Sequence, residues 1–120
     1  MAEKTIEERL TETLGRVDEL AGKVFPIQPE KGVPLPFCVY VSTGAVPDDS
    51  LEGFMTSQSV RVEINLLHTS YRRMKHLAAD AVEALKGIDY ATVYFDSFQP
   101  EVYESEIKAY RKIIYIKLQF

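Results

Sequence analysis

Apolar residues recur along the chain at two different spacings, and these spacings separate predicted helices from predicted strands. Between residues 5 and 22 the large apolar side chains follow at steps of three and four, the spacing of one face of an α-helix. They are Ile6, Leu10, Leu14, Val17 and Leu20. The same spacing runs through residues 69–87, where Thr69 or Ser70 is able to cap the start and Gly87 follows the last turn. The sequence therefore predicts two amphipathic helices.

Four other stretches are rich in β-branched and aromatic residues, a composition typical of strands. They are FCVYVST (37–43), SQSVRVEINLLH (57–68), YATVYFDSFQ (90–99) and EIKAYRKIIYIKLQF (106–120). The second alternates apolar and polar residues from Val60 to Leu66, which predicts one buried and one polar face. The proline-rich connector before the first strand, residues 24–36, leaves room for no more than a short edge strand.

The order of these elements indicates the fold class. It is helix, strand, loop, strand, helix, strand, strand, without an internal repeat, and 120 residues are the usual length of one domain. We predict a single α+β domain over residues 1–120. It has a four-stranded, mainly antiparallel sheet with both helices packed on one face and a long loop between the first two strands. The other face of the sheet must then meet water or a polar partner.

The loop between the first two strands, GAVPDDSLEGFM (44–55), is too long for a tight hairpin turn. It contains three acidic and three large apolar residues, which are Asp48, Asp49 and Glu52, and Leu51, Phe54 and Met55. Loops of this length are usually functional or disordered. Two interpretations remain open: the apolar residues cap the chain's own core, or the loop is an arm that lies on a neighbouring subunit.

The last predicted strand offers a surface that complements such an arm. Arg111, Ile113, Tyr115 and Lys117 share one face of this strand as a mixed apolar and basic strip. An acidic loop of a second copy matches this strip, and a head-to-tail contact of that kind closes into a ring or continues as a filament. The candidate subunit or ring interface therefore comprises these four residues and the six loop residues above.

Charge and composition exclude several classes of protein. With 14 Lys and Arg against 18 Asp and Glu, the formal net charge of −4 argues against a surface built to bind phosphate backbones. The one cysteine, Cys38, excludes an intrachain disulfide. No apolar run approaches the roughly 18 residues of a membrane span, and the charged N-terminus is unlike a signal peptide. We expect a cytoplasmic protein without a membrane partner.

Residue types that carry catalysis or bind metals are present, but not at a productive spacing. His68 and His76 have no cysteine or carboxylate at ligand spacing beside them. Cys38 lies in the middle of a predicted strand, which indicates a small buried hydrophobe, and the acids between residues 96 and 106 have no fixed geometry. We therefore predict no catalytic, cofactor or metal site, and a protein that is not an enzyme.

The predicted elements and two sequence stretches within them together resemble a known family. An N-terminal amphipathic helix, a connector ending in PLPFCVYV, a loop, and then VRVEINLLHTSYRRMKHLAADAVEALKG, whose helix opens with Tyr71, are similar to the tail-completion proteins of long-tailed bacteriophages and prophages. These are also called tail-terminator or head-to-tail joining proteins. The resemblance covers about residues 5–88. It implies a ring at the end of the tail tube that stops tube polymerisation and joins the tail to the head connector.

The resemblance also implies partners and a location. The partners are other copies of the chain in a homohexameric ring, the tail tube protein, and the head-completion or connector protein, while DNA only passes through the pore. The location is the bacterial host cytoplasm during assembly and then the virion tail. A small-molecule or peptide-binding α+β regulatory domain, with its cleft between sheet and helices, is the alternative function, and a small enzyme is the third.

Overall fold

The structure is a computed structural model that describes residues 5–47 and 58–120, with the backbone alone described at 43–47 and 58. The described residues form two helices, a short 3-10 turn and six strands. In chain order these are α1 (Ile6–Gly15), the 3-10 turn (Asp18–Leu20), β1 (Val24–Pro26), β2 (Phe37–Pro47), β3 (Gln58–His68), α2 (Tyr71–Lys86), β4 (Thr92–Phe98), β5 (Val102–Glu104) and β6 (Ala109–Gln119). Neither described helix is long and apolar enough to cross a membrane.

The first helix begins as predicted and ends earlier. Its cap is Thr5, whose hydroxyl accepts a hydrogen bond from the backbone N–H of Glu8 at 3.1 Å. The apolar spacing predicts a helix that continues to Leu20, but α1 ends at Gly15. Val17 breaks the helix with an extended backbone (φ −72°, ψ 123°), and the 3-10 turn after it still buries Leu20 completely. Val17 and Leu20 are therefore buried although they lie outside α1.

The six strands form one mixed sheet in the order β1-β2-β3-β6-β4, with β5 paired to β6. The α+β class is confirmed, whereas the expected number of four strands is wrong. Two short strands add to those four. Prolines limit β1 to Val24–Pro26, which pairs parallel to β2, and β5 forms a small hairpin with the start of β6. The other pairings are antiparallel.

The second strand is longer than the sequence predicts. A bulge between Ser42 and Ala45 lets β2 continue past Gly44, and its pairing with β3 extends to Pro47 opposite Gln58. Residues 44–47, expected to be loop, are therefore strand. The rest of the expected loop, residues 48–55, lies outside the described residues.

One face of the sheet and both helices enclose the core. The side chains that are completely buried there include Leu14 of α1, Leu85 of α2, Ile64 and Leu66 of β3, and Ile114, Ile116 and Leu118 of β6. The ladder register places these strand residues opposite one another, with Ile64 paired to Ile114. Because side chains alternate along a strand, burying these positions turns their neighbours to the other face of the sheet.

Candidate functional site

We call the face of the sheet that points away from both helices the open face. Its residues alternate with the core residues along each strand, and the register of the ladders sets them side by side. They are Phe37, Val39 and Val41 of β2, Arg61, Glu63, Asn65 and Leu67 of β3, Arg111, Ile113, Tyr115 and Lys117 of β6, and Tyr94 of β4. None of them belongs to the core that the described helices cover.

A groove of about 380 Å³ crosses one end of the open face. Its lining residues are Ile27, Gln28, Pro29, Phe37, Val39, Val41, Glu63, Asn65, Leu67, Ile107 and Arg111. The floor is apolar where β2 pairs with β3, and Val39 and Leu67 are only 8% and 4% exposed. One rim follows β1 and the other precedes β6, so the groove is assembled from segments that are far apart in the sequence.

The first rim rests on a strained backbone turn. The N–H of Gln28 donates to the carbonyl of Pro26 at 2.7 Å and closes a three-residue turn, in which the central Ile27 has φ 68°. A β-branched residue rarely adopts this left-handed conformation, and three-residue turns of this hand are strained. Ile27 is also 73% exposed. The chain therefore holds a large apolar side chain at its surface against both backbone preference and hydration.

The second rim is Ile107, in the turn that joins β5 to β6. It is 45% exposed, and the next residue, Lys108, has a positive φ of 52°. Two exposed isoleucines thus line the same groove as the apolar floor. Exposed apolar residues that line one groove indicate a contact surface more strongly than the same residues scattered singly.

The polar groups on the floor of the groove are bonded to one another. Asn65, which is 8% exposed, donates through Nδ2 to the carboxylate of Glu63 at 3.0 Å. Tyr115, directly opposite Glu63 in the ladder, donates its hydroxyl to the same carboxylate, and this hydrogen bond raises the pKa of Tyr115. The polar side chains of the floor therefore already have hydrogen-bond partners within the chain, which favours contact with an apolar molecule.

Arg111 has incomplete hydrogen bonding and separates the groove from a second one. Its Nη1 atom lies 3.4 Å from Glu104, and its side chain is 38% exposed. Its Nε atom is buried and has no hydrogen-bond partner in the described structure. The second groove, of about 230 Å³, lies on the other side of Arg111 beside Val102 and Tyr115. An incoming carboxylate would meet a guanidinium that is only loosely held.

Lys117 lies at the opposite end of the open face. Its ammonium is 4.7 Å from the centre of the Tyr94 ring, and its ladder partner on β3 is Arg61. Lys117 and Arg111 are six residues apart on β6, about 20 Å at the rise of a strand. The predicted basic strip is thus two separate cationic positions with Ile113 and Tyr115 between them.

The predicted interface residues divide into two groups. The four of the basic strip, Arg111, Ile113, Tyr115 and Lys117, all lie on the open face of a central strand. The six of the loop, which are Asp48, Asp49, Leu51, Glu52, Phe54 and Met55, lie outside the described residues. The structure therefore places the four strip residues on one face of the sheet, and the contact between copies stays a prediction.

Sequence reasoning missed the groove. Its rims at Ile27 and Ile107 lie in segments without periodicity, and their approach depends on long-range strand pairing. One signal was available in FCVYV, which is apolar at successive positions from Phe37 to Val41. Such a run indicates a strand that is covered on both faces, not on one.

The residues considered for catalysis lie in different environments. Cys38 is completely buried, and its burial raises the pKa of the thiol. The buried His68 accepts the N–H of Ser70 at Nδ1 and lies 2.8 Å from Glu19 through Nε2, so the proton belongs on Nε2. His76 is exposed on α2. Within residues 5–47 and 58–120, no group of three or more His, Cys, Asp or Glu is placed to hold a metal ion.

Comparisons with known proteins relate this fold to a viral one. No protein-family description matches the sequence, and no curated protein matches it. Among solved structures, the fold is similar to that of the gp17 protein of bacteriophage SPP1, with a TM-score of 0.53 and 14% sequence identity. The likeness covers 95% of this chain and 87% of that chain. At this identity it shows a shared fold: the α+β arrangement described above is one that a bacteriophage protein also has.

Proposed function

We propose that this chain is a structural protein of a phage or prophage tail. It belongs to the tail-terminator class and forms a ring of identical copies at the end of the tail tube. There it ends tube assembly and joins the tail to the head connector. The observation that carries the proposal is the fold shared with bacteriophage SPP1 gp17 along 95% of the chain. The resemblance of residues 5–88 to the tail-completion family supports the same function.

Such a ring works through the fit of its surfaces. Each copy contacts its two neighbours, and the finished ring, a hexamer in this proposal, presents one side to the tail tube protein and the other to the head-completion or connector protein. The formal net charge of −4 suits a pore through which DNA passes without adhering. No bond is made or broken, so the proposal requires neither enzyme activity nor a cofactor. The ring forms in the bacterial host cytoplasm and remains in the virion tail.

The open face is the proposed site of contact between copies. Its exposed rims at Ile27 and Ile107 and its cation at Arg111 support this role, since subunit contacts combine apolar burial with charge pairing. The matching side consists of the loop residues Asp48, Asp49, Leu51, Glu52, Phe54 and Met55 of the next copy. Because this contact joins two different surfaces, it is heterologous and generates a ring when the rotation closes.

Electron microscopy of the purified protein, alone and mixed with tails from particles that lack it, tests the proposal. We expect a symmetric annulus in solution or a cap at the end of the tail tube, together with recovery of head joining. A protein that stays single at high concentration, does not bind tail ends and leaves head joining unrestored contradicts the tail function.

The groove favours a second candidate, a small-molecule or peptide-binding regulatory domain. Its volume of about 380 Å³ lies within the range of ligand sites. The groove is on the open face, however, and not between sheet and helices where the sequence places it for this function. Native mass spectrometry separates the two functions, because a regulatory domain releases a bound small molecule or peptide from a single chain.

A further inference from the structure

We propose that the groove on the open face receives residues 48–57 of a neighbouring copy, and that this insertion is the joint between adjacent subunits. The inference rests on the proposed self-assembly and deepens it by naming the receiving surface. That surface consists of the apolar floor at Val39 and Leu67, the rims at Ile27 and Ile107, and the cation of Arg111. The occupant is called the 48–57 segment below.

The groove is built to receive apolar side chains. Ile27 is 73% and Ile107 45% exposed, on either side of a floor in which Val39 and Leu67 are already almost buried. The turn at Ile27 adds a second observation, because the fold keeps this apolar side chain at the surface despite a left-handed backbone that is costly for a β-branched residue. Docked apolar residues bury both rims, so the contact removes from water the apolar surface that the isolated chain exposes.

The positive charge of Arg111 favours an occupant that carries acidic groups. Arg111 lies at the edge of the groove with a partnerless buried Nε and a loose contact of 3.4 Å to Glu104. The 48–57 segment combines acidic groups, which can pair with Arg111, and large apolar groups, which match the apolar floor and rims. These are Asp48, Asp49 and Glu52, and Leu51, Phe54 and Met55. A carboxylate that approaches Arg111 gains a charge-assisted hydrogen bond while the apolar residues cover the rims.

The chain's own segment does not reach the centre of this groove or Arg111. Its ends are tied at Pro47 and Gln58, which are paired, whereas the centre of the groove at the Val39–Asn65 pair lies eight residues back along β2. At the rise of a strand, that separation is about 26 Å. Ten residues that leave and return to the same strand pair extend no further than about 18 Å, half of their contour length. An occupant that fills the centre of the groove and contacts Arg111 therefore has to come from a second copy.

The same limit on the reach of the 48–57 segment distinguishes the two cations of the predicted strip, Lys117 and Arg111. Arg61 and its ladder partner Lys117 lie three residues from Gln58, about 10 Å, within reach of a chain's own segment. Arg111 lies beyond that reach. Substitution of Arg111 therefore disturbs contacts between copies selectively, and substitution of Lys117 does not provide that selectivity.

Mixing two variants of the full chain, each with one added cysteine, tests the inference. One chain carries Phe54→Cys and the other Ile107→Cys, and mild oxidation is followed by mass spectrometry of the disulfide-linked peptides. The native Cys38 is completely buried and stays out of the reaction. The control replaces the second variant with Glu83→Cys, on the exposed surface of α2. We expect linkage of 54 to 107 between chains in clear excess over linkage of 54 to 83.

If the chain is monomeric in solution, binding of a synthetic peptide tests the groove assignment. The probe is the labelled peptide VPDDSLEGFMTS, residues 46–57, added to the full chain and followed by fluorescence anisotropy. We expect saturable binding that Arg111→Glu weakens about tenfold or more, as for a charge pair at an interface. Ile107→Asp has a similar effect, whereas Lys86→Glu on α2 leaves binding unchanged. Circular dichroism checks that each variant is folded.

The outcomes separate this inference from the tail function. A ring that forms without the 54–107 linkage overturns the groove assignment and leaves the tail function standing. Absence of saturable peptide binding, or binding that ignores both groove substitutions, also overturns the groove assignment. If the peptide binds as expected but no ring forms in solution or on tails, the groove assignment holds and the tail function fails.

Discussion

At the scale of single residues, Ile27 shows a conflict between folding and surface exposure. Its backbone N–H donates to the carbonyl of Tyr40 at 2.8 Å, which ties the end of β1 to β2. Its conformation nevertheless has φ 68°, and its side chain is 73% exposed. Asparagine adopts the left-handed region more readily than isoleucine and loses nothing by exposure. The choice of isoleucine therefore works against the stability of the isolated chain.

Ile27→Asn is expected to stabilise the monomer and weaken assembly. Relief of the backbone strain contributes about 1 kcal/mol to the free energy of unfolding, measured by urea denaturation. Loss of one rim of the groove reduces self-association, measured by light scattering, and reduces binding of the 46–57 peptide.

The matched control is Lys108→Asn. Lys108 also has a positive φ, 52°, but it is not part of the groove lining. The same gain in stability without loss of association is expected. Equal association of both variants and the parent chain would show that Ile27 has no role in the contact.

At the scale of elements, the start of α2 shows how tertiary position resolves a local ambiguity. The sequence leaves Thr69 and Ser70 as equal candidates for the cap. In the structure the Ser70 hydroxyl accepts the N–H of Arg73 at 3.3 Å, and the Ser70 N–H is itself bound by His68. The buried histidine at the end of β3 thereby fixes which residue enters the cap position.

Ser70→Ala is expected to cost about 1 kcal/mol of stability, as the loss of a capping side chain usually does. Thermal or urea denaturation measures the change. Thr69→Ala is the control, because Thr69 is exposed and has no cap role, and its effect should be within about 0.5 kcal/mol. A larger loss from Thr69→Ala than from Ser70→Ala contradicts this assignment of the cap.

Glu101 connects two elements through charge. Its carboxylate lies 3.5 Å from the ammonium of Lys112 on β6 and 3.9 Å from that of Lys75 on α2, and its side chain is 12% exposed. A backbone hydrogen bond, and then the two lysines, lower the pKa of Glu101 below its ordinary value of 4.5. A carboxyl group with a lowered pKa stabilises the fold above that ordinary value, and this contribution disappears as the pH falls through the lowered one.

Glu101→Gln should therefore lower stability at neutral pH and flatten its decline in acid. The difference between parent and variant is expected to be full above pH 4.5 and to shrink as the pH decreases further, as measured by urea denaturation across the acidic range. Glu106→Gln, an exposed acid in the β5–β6 turn, serves as the control. A constant difference at all pH values would contradict ionic stabilisation by Glu101.

At the scale of the whole molecule, the β2–β3 hairpin sets how far the chain reaches. Its two strands pair from Phe37–Leu67 to Pro47–Gln58, so the described pairing ends about 26 Å from the centre of the groove at the Val39–Asn65 pair. A segment at one end and a receiving surface at the other make each copy suited to a head-to-tail contact. The apolar residues of the segment then have two possible roles, as an arm or as a cap on their own core.

Replacing residues 48–57 with Asn-Gly distinguishes the two roles. This pair favours a tight two-residue turn between paired strands, so Pro47 and Gln58 stay joined. As an arm, the segment is dispensable for folding: the midpoint of thermal unfolding should change by only a few degrees while ring formation and tail joining are lost. An unfolded or strongly destabilised product would instead support the core-capping interpretation.

The sequence by itself determined the local elements and the faces of the central strands. The periods of 3.6 and 2 residues in α2, β3 and β6 are local properties, and they placed Ile64 and Ile114 in the core and Arg111 and Tyr115 on the other face. Tertiary structure decided the groove and its rims. Ile27, Val39, Leu67 and Ile107 come together only when β1, β2, β3 and β6 pair, and such pairing depends on contacts between segments far apart in the chain. The spacing of apolar residues within one segment does not predict those contacts, because they form between segments that are far apart in the sequence.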